Sequence, residues 1–384
     1  MALTNFGALT QEQLTLWQRD TWKQARNHSY LTRFMGDGPN SLIQRITQLK
    51  KDQKGSRAVI TLLADLVGDG VAGDRQLEGN EEAMQTFDQV IRIDQLRHGT
   101  RHLGRMADQK SVVEFRKNAK DVLSYWQADR HDQLAFLTLA GVPFSVHNNG
   151  APRVGSDFVN LEYAADVKTI SANRRLRWDR GAGATAASGV LVANASTGDV
   201  ATEDTPCWEM FIQLKAYAKT HKIRGVNING EETYHAFLSP LAMAKLKLDP
   251  TYQLNLRHAQ EKGGNNPLFT GNSVKIDNLF IHEYEHVFNT SGASGAVLVP
   301  KGGALHSKWG GTGDIDGCQI LFCGAQAMGF ADIGDPYWDE EGYDYGNSQG
   351  IAVGKISGFL NPQFMSPVTG SVENHGMLSC YVAQ

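Results

Sequence analysis

The sequence predicts a protein of the α+β class, in which helices and strands are mixed along the chain. A long segment from Ser111 to Leu139 has the periodicity of an amphipathic helix. Shorter helices are predicted where a capping residue precedes proline, and short runs rich in β-branched and aromatic residues surround them. Because these helices and strands do not alternate strictly, the pattern favours an α+β fold over a doubly wound parallel sheet.

Composition places the chain among globular proteins. It has 384 residues, of which 41% are hydrophobic and 20% charged, and its formal net charge is −4. Without a basic surplus, no sustained binding to a phosphate backbone is predicted. The first residues lack a charged region followed by an apolar one, and no apolar run approaches the ~18 residues of a membrane span. We therefore expect no membrane association and a cytoplasm-like compartment, or a particle formed there.

The cysteines give no sign of a metal or redox site. Cys207, Cys318, Cys323 and Cys380 include no C-x-x-C pair, so a zinc ribbon or thioredoxin-like motif is not predicted. We expect reduced thiols in half-buried positions, which is the usual behaviour of free cysteine.

The first 57 residues predict an arm that lies over other structure. This region is polar, with helical spacing of apolar residues only from Leu9 to Ala25. Two strand-like runs follow, Ala58 to Val67 and Met84 to Ile93, and the second alternates apolar and polar residues. They predict a long hairpin whose tip, residues 68–83, is acidic and rich in glycine.

Calcium binding at this tip is the weaker interpretation. Asp65, Asp69 and Asp74 do not have the ligand spacing of a helix-loop-helix calcium loop, and no helices are predicted beside them. Turn formation explains the glycines and aspartates.

The long helix is predicted to begin with a capping box formed by Ser111 and Glu114. Gly141 and Pro143 predict its end. Apolar residues recur at helical spacing on one face: Val112, Phe115, Ala119, Val122 and Trp126. The opposite face carries charged residues: Arg116, Lys117, Lys120, Asp121, Asp129 and Asp132. A helix of this length extends roughly 40 Å, which suits a beam connecting distant parts of the subunit.

The shorter helices share one type of start. Their predicted ranges are Pro206 to Lys219, Pro240 to Leu248 and Pro250 to Lys262, each with a cap residue before proline. Short strands are predicted at Arg224 to Ile228, Val274 to Val287, Ala296 to Val299, Gln319 to Cys323 and Gly350 to Ile356.

The strongest catalytic pattern is His282-Glu283-Tyr284-Glu285-His286, which has the H-E-x-x-H order of zinc peptidases. That mechanism needs both histidines on one helical face, but the surrounding residues favour a strand. Residues four apart on a strand are separated by ~13 Å, too far for one zinc ion to bind both. A third ligand, His306, is conceivable only in this alternative, a zinc metallohydrolase using His282, Glu283 and His286.

Two other segments have the composition of possible binding sites. Gly310 to Gly317 is rich in glycine but lacks the lysine and hydroxyl residue of a phosphate-binding loop. Asp335 to Tyr345 combines acidic and aromatic residues, which suits a carbohydrate or metal site. A packed surface turn whose aromatics contact a neighbour is favoured, since aromatic residues are enriched at interfaces.

Several separated blocks resemble the major capsid proteins of N-four-like tailed bacteriophages. They are LEGNEEAM (Leu77 to Met84), IDQLRHGTRHLGRMADQKS (Ile93 to Ser111), the segment Leu238 to Gly271, and YDYGNSQGIAVGKISG (Tyr343 to Gly358). Their order and spacing agree with the family from about Ser56 onward.

The resemblance implies the Hong Kong 97-like capsid fold. The implied parts are an N-arm (1–57), an E-loop hairpin with its connection (58–108), a peripheral domain with a spine helix (109–224), an axial domain (225–351) and a return to the peripheral domain (352–384). An extended arm and hairpin bury little within one subunit, so neighbouring copies are expected to cover them. The expected anchors are the apolar residues of the hairpin strands, with Trp17 and Trp22 of the arm.

The implied function is that of a coat protein, not an enzyme. Copies are expected to form hexamers and pentamers of an icosahedral head that encloses double-stranded DNA without sequence-specific binding. Portal, scaffolding or decoration proteins are expected as further partners, and assembly is expected in the bacterial cytoplasm. No catalytic, cofactor-binding or metal-binding residue is predicted. A scaffold or decoration protein is the remaining alternative.

Overall fold

The computed structural model describes residues 29–47, 55, 57–63, 68–84, 86–110, 115–181, 189–259, 274–293, 308–366 and 369–384. Within these residues there are two large sheets, and one long helix contacts strands of both. The mixture of helices with mostly antiparallel strands confirms the predicted α+β class.

The helices, in chain order, are α1 (Arg105–Lys110), α2 (Phe115–Ala140), α3 (Trp208–Thr220), α4 (Pro240–Leu248) and α5 (Pro250–Ala259). The first strands are β1 (Met35–Gly36), β2 (Ile43–Ile46), β3 (Arg57–Leu63), β4 (Thr86–Arg92), β5 (Asp94–Arg101), β6 (Arg175–Asp179), β7 (Val190–Ala193), β8 (Val226–Ile228) and β9 (Glu231–Leu238). The others are β10 (Val274–Ile276), β11 (Leu279–Glu283), β12 (Gly317–Cys323), β13 (Met328–Asp332), β14 (Tyr337–Tyr343), β15 (Ser348–Leu360), β16 (Gln363–Met365), β17 (Val372–Asn374) and β18 (Met377–Ala383).

The larger sheet has eight strands in the order β10-β11-β9-β12-β18-β6-β7, with β8 paired to β9. Its centre is the antiparallel pair β12–β18, which runs from Gly317 opposite Ala383 to Cys323 opposite Met377. Every residue of both strands is buried, so their side chains contact other structure on both faces of the sheet. This explains why both strands are almost continuously apolar instead of alternating.

The smaller sheet has six strands and is organised by β15, the longest strand described. Strand β15 pairs with β5 along one side and with β14 and then β13 along the other. Strand β2, from the predicted N-arm, pairs in parallel with β13 from Met328 to Ala331. The described part of the arm is therefore built into this sheet.

Helix α2 has the length of the predicted spine and connects the two sheets. Ala119 and Leu123 pack with Trp338 of the six-stranded sheet, while the last turns of the helix lie in the main core. The helix ends in a Schellman motif, in which the N–H of Val142 donates to the carbonyl oxygen of Leu137. Gly141 supplies the left-handed conformation this ending requires, with a φ of 66°.

Two expectations about the faces of α2 were wrong. Val122 was placed on the buried face, but 65% of it is exposed, and Leu123 is buried instead with 2% exposed. Asp132 was placed on the solvent face, but it is buried, with 1% exposed. Other parts of the folded chain pack against more than one face of this helix. A prediction that assumes a single apolar face therefore assigns some residues to the wrong side. Ser111, Val112 and Glu114, and thus the capping box, lie outside the described residues.

The proline starts were confirmed for α4 and α5 and were wrong for α3. In α4, the Ser239 hydroxyl accepts from the N–H of Ala242, as a cap residue before proline should. Helix α3 begins at Trp208, two residues later than predicted, and its N-cap Cys207 has no capping side chain. The Asp249 carboxylate instead accepts from the N–H of Trp208 and from that of Tyr252 in α5. One residue therefore caps two helices, which local sequence does not reveal.

The strand predictions were partly confirmed. The run Val274 to Val287 forms the hairpin β10–β11 only as far as Glu283, turning at Asp277 and Asn278, which both have positive φ. Of the other predicted runs, Arg224 to Ile228 contains β8, while Gln319 to Cys323 and Gly350 to Ile356 are parts of β12 and β15. The described strands that were not predicted are β1, β2, β5, β6, β7, β9, β13, β14, β16, β17 and β18. The predicted helix Leu9 to Ala25 and the predicted strand Ala296 to Val299 lie outside the described residues. None of the helices in the described ranges is long and apolar enough to cross a membrane.

Candidate assembly surfaces

The hairpin β3–β4 is a two-stranded sheet whose inner face packs on the six-stranded sheet. Its strands are antiparallel, with Ala58 opposite Ile91 and Ile60 opposite Gln89. The buried residues of this contact form a cluster of their own: Ile46, Ala58, Ile60, Ile91, Ala331 and Leu360. A side chain at Gly358 would collide with the Arg92 carbonyl oxygen, so glycine in β15 lets the hairpin lie close.

The outer face of the hairpin has a defined pattern. Arg57 lies opposite Arg92, Val59 opposite Val90, and Thr61 opposite Asp88. All of these residues are exposed, with 37% of Val59 and 43% of Val90 accessible. The face therefore runs from a basic end through an apolar middle to an acidic end. Nothing in the described part of the subunit covers the two valines fully, and partial exposure of an apolar pair suits contact with another surface.

The tip of the hairpin, residues 68–84, extends this exposed region. Leu77 is 57% exposed and Met84 is 70% exposed. Its hydrogen bonds are local, as where the N–H of Gly68 donates to Glu82 at 2.6 Å. The described acidic residues of the tip, which include Asp69 and Asp74, do not converge as a group of three metal ligands. Asp65 lies outside the described residues.

A second exposed apolar group lies near the start of the spine. Leu103 and Met106 are 92% and 68% exposed, and on α2 itself Val122 and Tyr125 are 65% and 55% exposed. Together with the hairpin, they are apolar residues that the described part of the subunit leaves exposed.

The strand interpretation of the H-E-x-x-H motif is confirmed for His282 and Glu283, which lie on β11, but it was wrong for Glu285 and His286, which lie in the turn after this strand. His282 and His286 contact different residues. The Nε2 atom of His282 is 3.0 Å from Nδ1 of His235, and Nε2 of His286 is 2.7 Å from Oδ1 of Asp129. Glu283 pairs with Lys247 at 3.1 Å. The three residues of the metallohydrolase alternative therefore do not face one common centre.

His235 and His282 belong to an aromatic cluster that holds the N-terminal segment. Phe34 contacts both rings edge-on, with centroid distances of 5.3 and 5.2 Å. Burial lowers the pKa of His235 to about 4, and burial together with the neighbouring His235 ring and Arg33 lowers the pKa of His282 to about 4. Both rings are consequently neutral near pH 7 and pack as aromatic groups.

Asp132 fixes the same segment from the spine. Its carboxylate accepts from the Ser29 hydroxyl at 2.7 Å, the Tyr30 N–H at 2.7 Å and the Tyr284 hydroxyl at 2.8 Å. Burial raises the pKa of Asp132, and these hydrogen bonds partly offset that effect. The spine thus positions the segment from which the arm extends. Sequence reasoning missed this role because no local pattern distinguishes Asp132 from exposed aspartates on the same helix.

Comparison with known proteins gives one consistent result. A family model described as phage capsid protein matches residues 5–382. The major capsid protein of Pseudomonas phage KPP25 is 55% identical over 382 residues, which cover 99% of this chain and 97% of that protein.

This chain belongs to the phage capsid protein family. It is a major capsid protein, so copies of it form the shell of a virion. The resemblance found in the sequence is confirmed, and the function it implied is confirmed at this level.

Solved structures show that the fold is that of phage capsids, confirming the Hong Kong 97-like prediction. The capsid of Ralstonia phage GP4 is 25% identical with a TM-score of 0.72, covering 92% of this chain and 91% of that one. The capsid of cyanophage Pam1 is 16% identical with a TM-score of 0.66, covering 100% and 96%. The fold is thus retained where little sequence identity remains.

In this capsid protein the acidic and aromatic segment is an edge strand, not a surface turn. Strand β14 pairs with β15, and Trp338 is buried, with 1% exposed. Its indole N–H donates to Glu340, which also pairs with Arg116 of the spine at 2.9 Å. The segment therefore contributes to the subunit's own packing through Trp338, while Tyr345 is fully exposed.

The cysteines are more buried than predicted. Cys207, Cys318, Cys323 and Cys380 are all free and buried. Burial raises the pKa of Cys318 to about 11 and raises that of the others as well. Thiols of this kind behave as small apolar groups in a core.

Proposed function

We propose that the protein forms the hexamers and pentamers of an icosahedral tailed-phage head enclosing double-stranded DNA. The observation that supports this most is the exposed Val59–Val90 pair on the outer face of the hairpin. An apolar middle between a basic and an acidic end gives one copy a surface that a neighbouring copy can recognise by register as well as by burial. If this face binds a different surface of the neighbouring copy, the contact is head-to-tail. Head-to-tail contacts close into rings when the rotation between copies allows it.

The division of the chain into capsid parts is also a proposal. We assign residues 1–57 to the N-arm, 58–108 to the E-loop and its connection, 109–224 to the peripheral domain, 225–351 to the axial domain and 352–384 to the return. The hairpin β3–β4, the spine α2 and the pairing of β18 with both β12 and β6 support this order. Within the assigned N-arm, residues 43–46 form strand β2 of the six-stranded sheet.

We further propose that the packaged DNA is enclosed without sequence-specific binding. A net charge of −4 supports this, because tight binding to phosphates depends on a surplus of lysine and arginine. Portal, scaffolding or decoration proteins are proposed as further partners, and the bacterial cytoplasm as the place of assembly. The protein is proposed to act without catalytic residues of its own.

One substitution tests the assembly surface. In Val90→Asp, a carboxylate replaces an apolar group that a neighbouring copy would cover, so we expect assembly to fail while the isolated subunit stays folded. Burying an unpaired charge is far more costly than leaving it in water. Purified protein would be examined for closed shells by electron microscopy and for subunit size by light scattering.

Val90→Ile is the matched control, because it keeps the site apolar and should still give shells. Far-UV circular dichroism would show that both variants retain their fold. Normal shells from Val90→Asp would contradict the proposed role of the hairpin face, and a wild-type chain that never forms shells would contradict the proposed assembly itself.

A further inference from the structure

Metal-ligating side chains converge where the spine helix meets the turn after β11. Asp129 lies on α2, and Glu285 and His286 follow β11 directly. The Nε2 atom of His286 is 2.7 Å from Oδ1 of Asp129 and 3.8 Å from Oε1 of Glu285. All the donor atoms lie within 4.8 Å of one another. Two parts of the fold that are distant in sequence thus present one imidazole and two carboxylates to a single point.

The separations suit one bound cation. Zinc binds imidazole nitrogen and carboxylate oxygen at about 2.0–2.2 Å, which places neighbouring ligand atoms about 3.0–3.5 Å apart. The observed separations of 2.7 and 3.8 Å lie on either side of that range. The remaining separation, between the Asp129 and Glu285 oxygens, is at most 4.8 Å, so the exposed Glu285 carboxylate has to move by about 1 Å toward the other two donors to complete the coordination.

Neighbouring residues hold His286 and Asp129 through atoms other than the proposed donors. The His286 carbonyl oxygen accepts from the side-chain amide of Asn148 at 2.6 Å. On Asp129 it is the other oxygen, Oδ2, that accepts from Gln133 at 3.0 Å and pairs with Arg130 at 3.2 Å. Oδ1 therefore remains directed at His286. The Glu285 side chain is 74% exposed, which leaves a path for an ion and room for water to complete its coordination.

We propose that Asp129, Glu285 and His286 bind a divalent transition-metal ion of the zinc type, which joins the spine helix to the turn after β11. A mixed nitrogen and oxygen set suits such ions better than magnesium or calcium, which take oxygen ligands. The site shares only His286 with the metallohydrolase alternative, since His282 contacts His235 and Glu283 pairs with Lys247. It also departs from the expectation that the protein has no metal-binding residue.

Titration calorimetry with zinc chloride on the purified full chain tests this proposal. We expect one ion per subunit, with magnesium chloride giving no comparable heat. Asp129→Asn, Glu285→Gln and His286→Ala should weaken zinc binding by about 100-fold or more, because each removes a direct ligand. His282→Ala and Glu283→Gln are matched controls from the same motif and should bind zinc as the wild type does.

The cobalt complex identifies the donor atoms independently of affinity. Its absorption spectrum should lack a thiolate charge-transfer band, since the proposed ligands are nitrogen and oxygen. Such a band would assign the ion to a cysteine and overturn the proposal, as would unchanged zinc binding in His286→Ala. Zinc binding that requires His282 and Glu283 would support the metallohydrolase set instead.

As a control for folding, the thermal midpoint of each variant is measured in the presence of a chelator. Asp129→Asn keeps the shape of its side chain, so it remains informative if His286→Ala is destabilised. No zinc binding by the folded wild-type chain at millimolar concentration would overturn the site. This test does not depend on shell formation. Failure of the metal-site proposal can therefore be distinguished from failure of the assembly proposal.

Discussion

The central strands of the eight-stranded sheet and the hairpin β3–β4 are both antiparallel pairs of seven-residue strands, yet their surroundings differ completely. Every residue of β12 and β18 is buried. In the hairpin, burial alternates, so Ile91 is fully buried while its neighbours Val90 and Arg92 are exposed. The sheet is therefore stabilised within one subunit, and half of the hairpin is not.

This difference separates two tasks that one sequence has to perform. Full burial of a large apolar side chain contributes about 1.5–3 kcal/mol, so the central sheet supplies folding free energy to the isolated subunit. The outer hairpin face supplies the same kind of free energy only when another copy covers it. A capsid protein that must fold first and assemble later can store its assembly energy in this way.

The largest effect is expected in the core. Phe237 is fully buried in β9 and contacts the rings of Phe34 and Phe136. Phe237→Ala should lower the free energy of unfolding by about 3–5 kcal/mol, because it leaves a cavity that the sheet cannot close. Urea unfolding of the subunit measures this change. Leu254→Ala, at a site that is 55% exposed, is the control and should change stability by less than about 0.5 kcal/mol. A loss below about 1 kcal/mol for Phe237→Ala would contradict the central role of this sheet.

An intermediate loss of stability is expected when acid protonates the two partly buried histidines His235 and His282. Burial lowers the pKa of His235 and His282 to about 4 in the folded chain, below the usual 6.5. Folding therefore opposes protonation, so stability is complete above about pH 6.5 and declines as the pH falls toward 4. For the pair, we expect a loss of about 2–3 kcal/mol between pH 7 and pH 5 after allowance for partial exposure.

The variant His282→Phe isolates the contribution of His282 to this loss of stability in acid. It removes one titrating ring from a site already lined by aromatic groups, so about half of the additional loss at pH 5 should disappear. Urea midpoints at both pH values, compared between variant and wild type, cancel the contribution of other titrating groups. Equal pH dependence in the two proteins would show that the ring pair does not control acid stability.

The smallest effect on the subunit is expected in the hairpin. The double variant Val59→Ala with Val90→Ala should cost the isolated subunit less than about 1 kcal/mol, because both side chains are already partly in water. Assembly should suffer more, visible as a higher protein concentration needed to form shells. If the isolated subunit lost as much stability as in Phe237→Ala, the two regions would not differ in the way proposed here.

The sequence by itself determined the elements whose causes are local. The spine helix, the ends of α4, the start of α5 and the hairpin follow from capping residues, periodicity and turn residues that lie within a few positions of each other. The strand interpretation of His282 and Glu283 belongs to the same group. The family resemblance added the identity of the fold, because block order and spacing carry information that periodicity lacks.

Only the tertiary structure decided the features that depend on residues distant in sequence. Buried Asp132 is satisfied by hydrogen bonds from Ser29 and Tyr284. The start of α3 is capped by Asp249, and Leu123 is buried because it packs with Trp338. The same holds for the convergence of Asp129 with Glu285 and His286. A side chain's environment is set by whatever the folded chain brings against it, and no window along the sequence contains those partners.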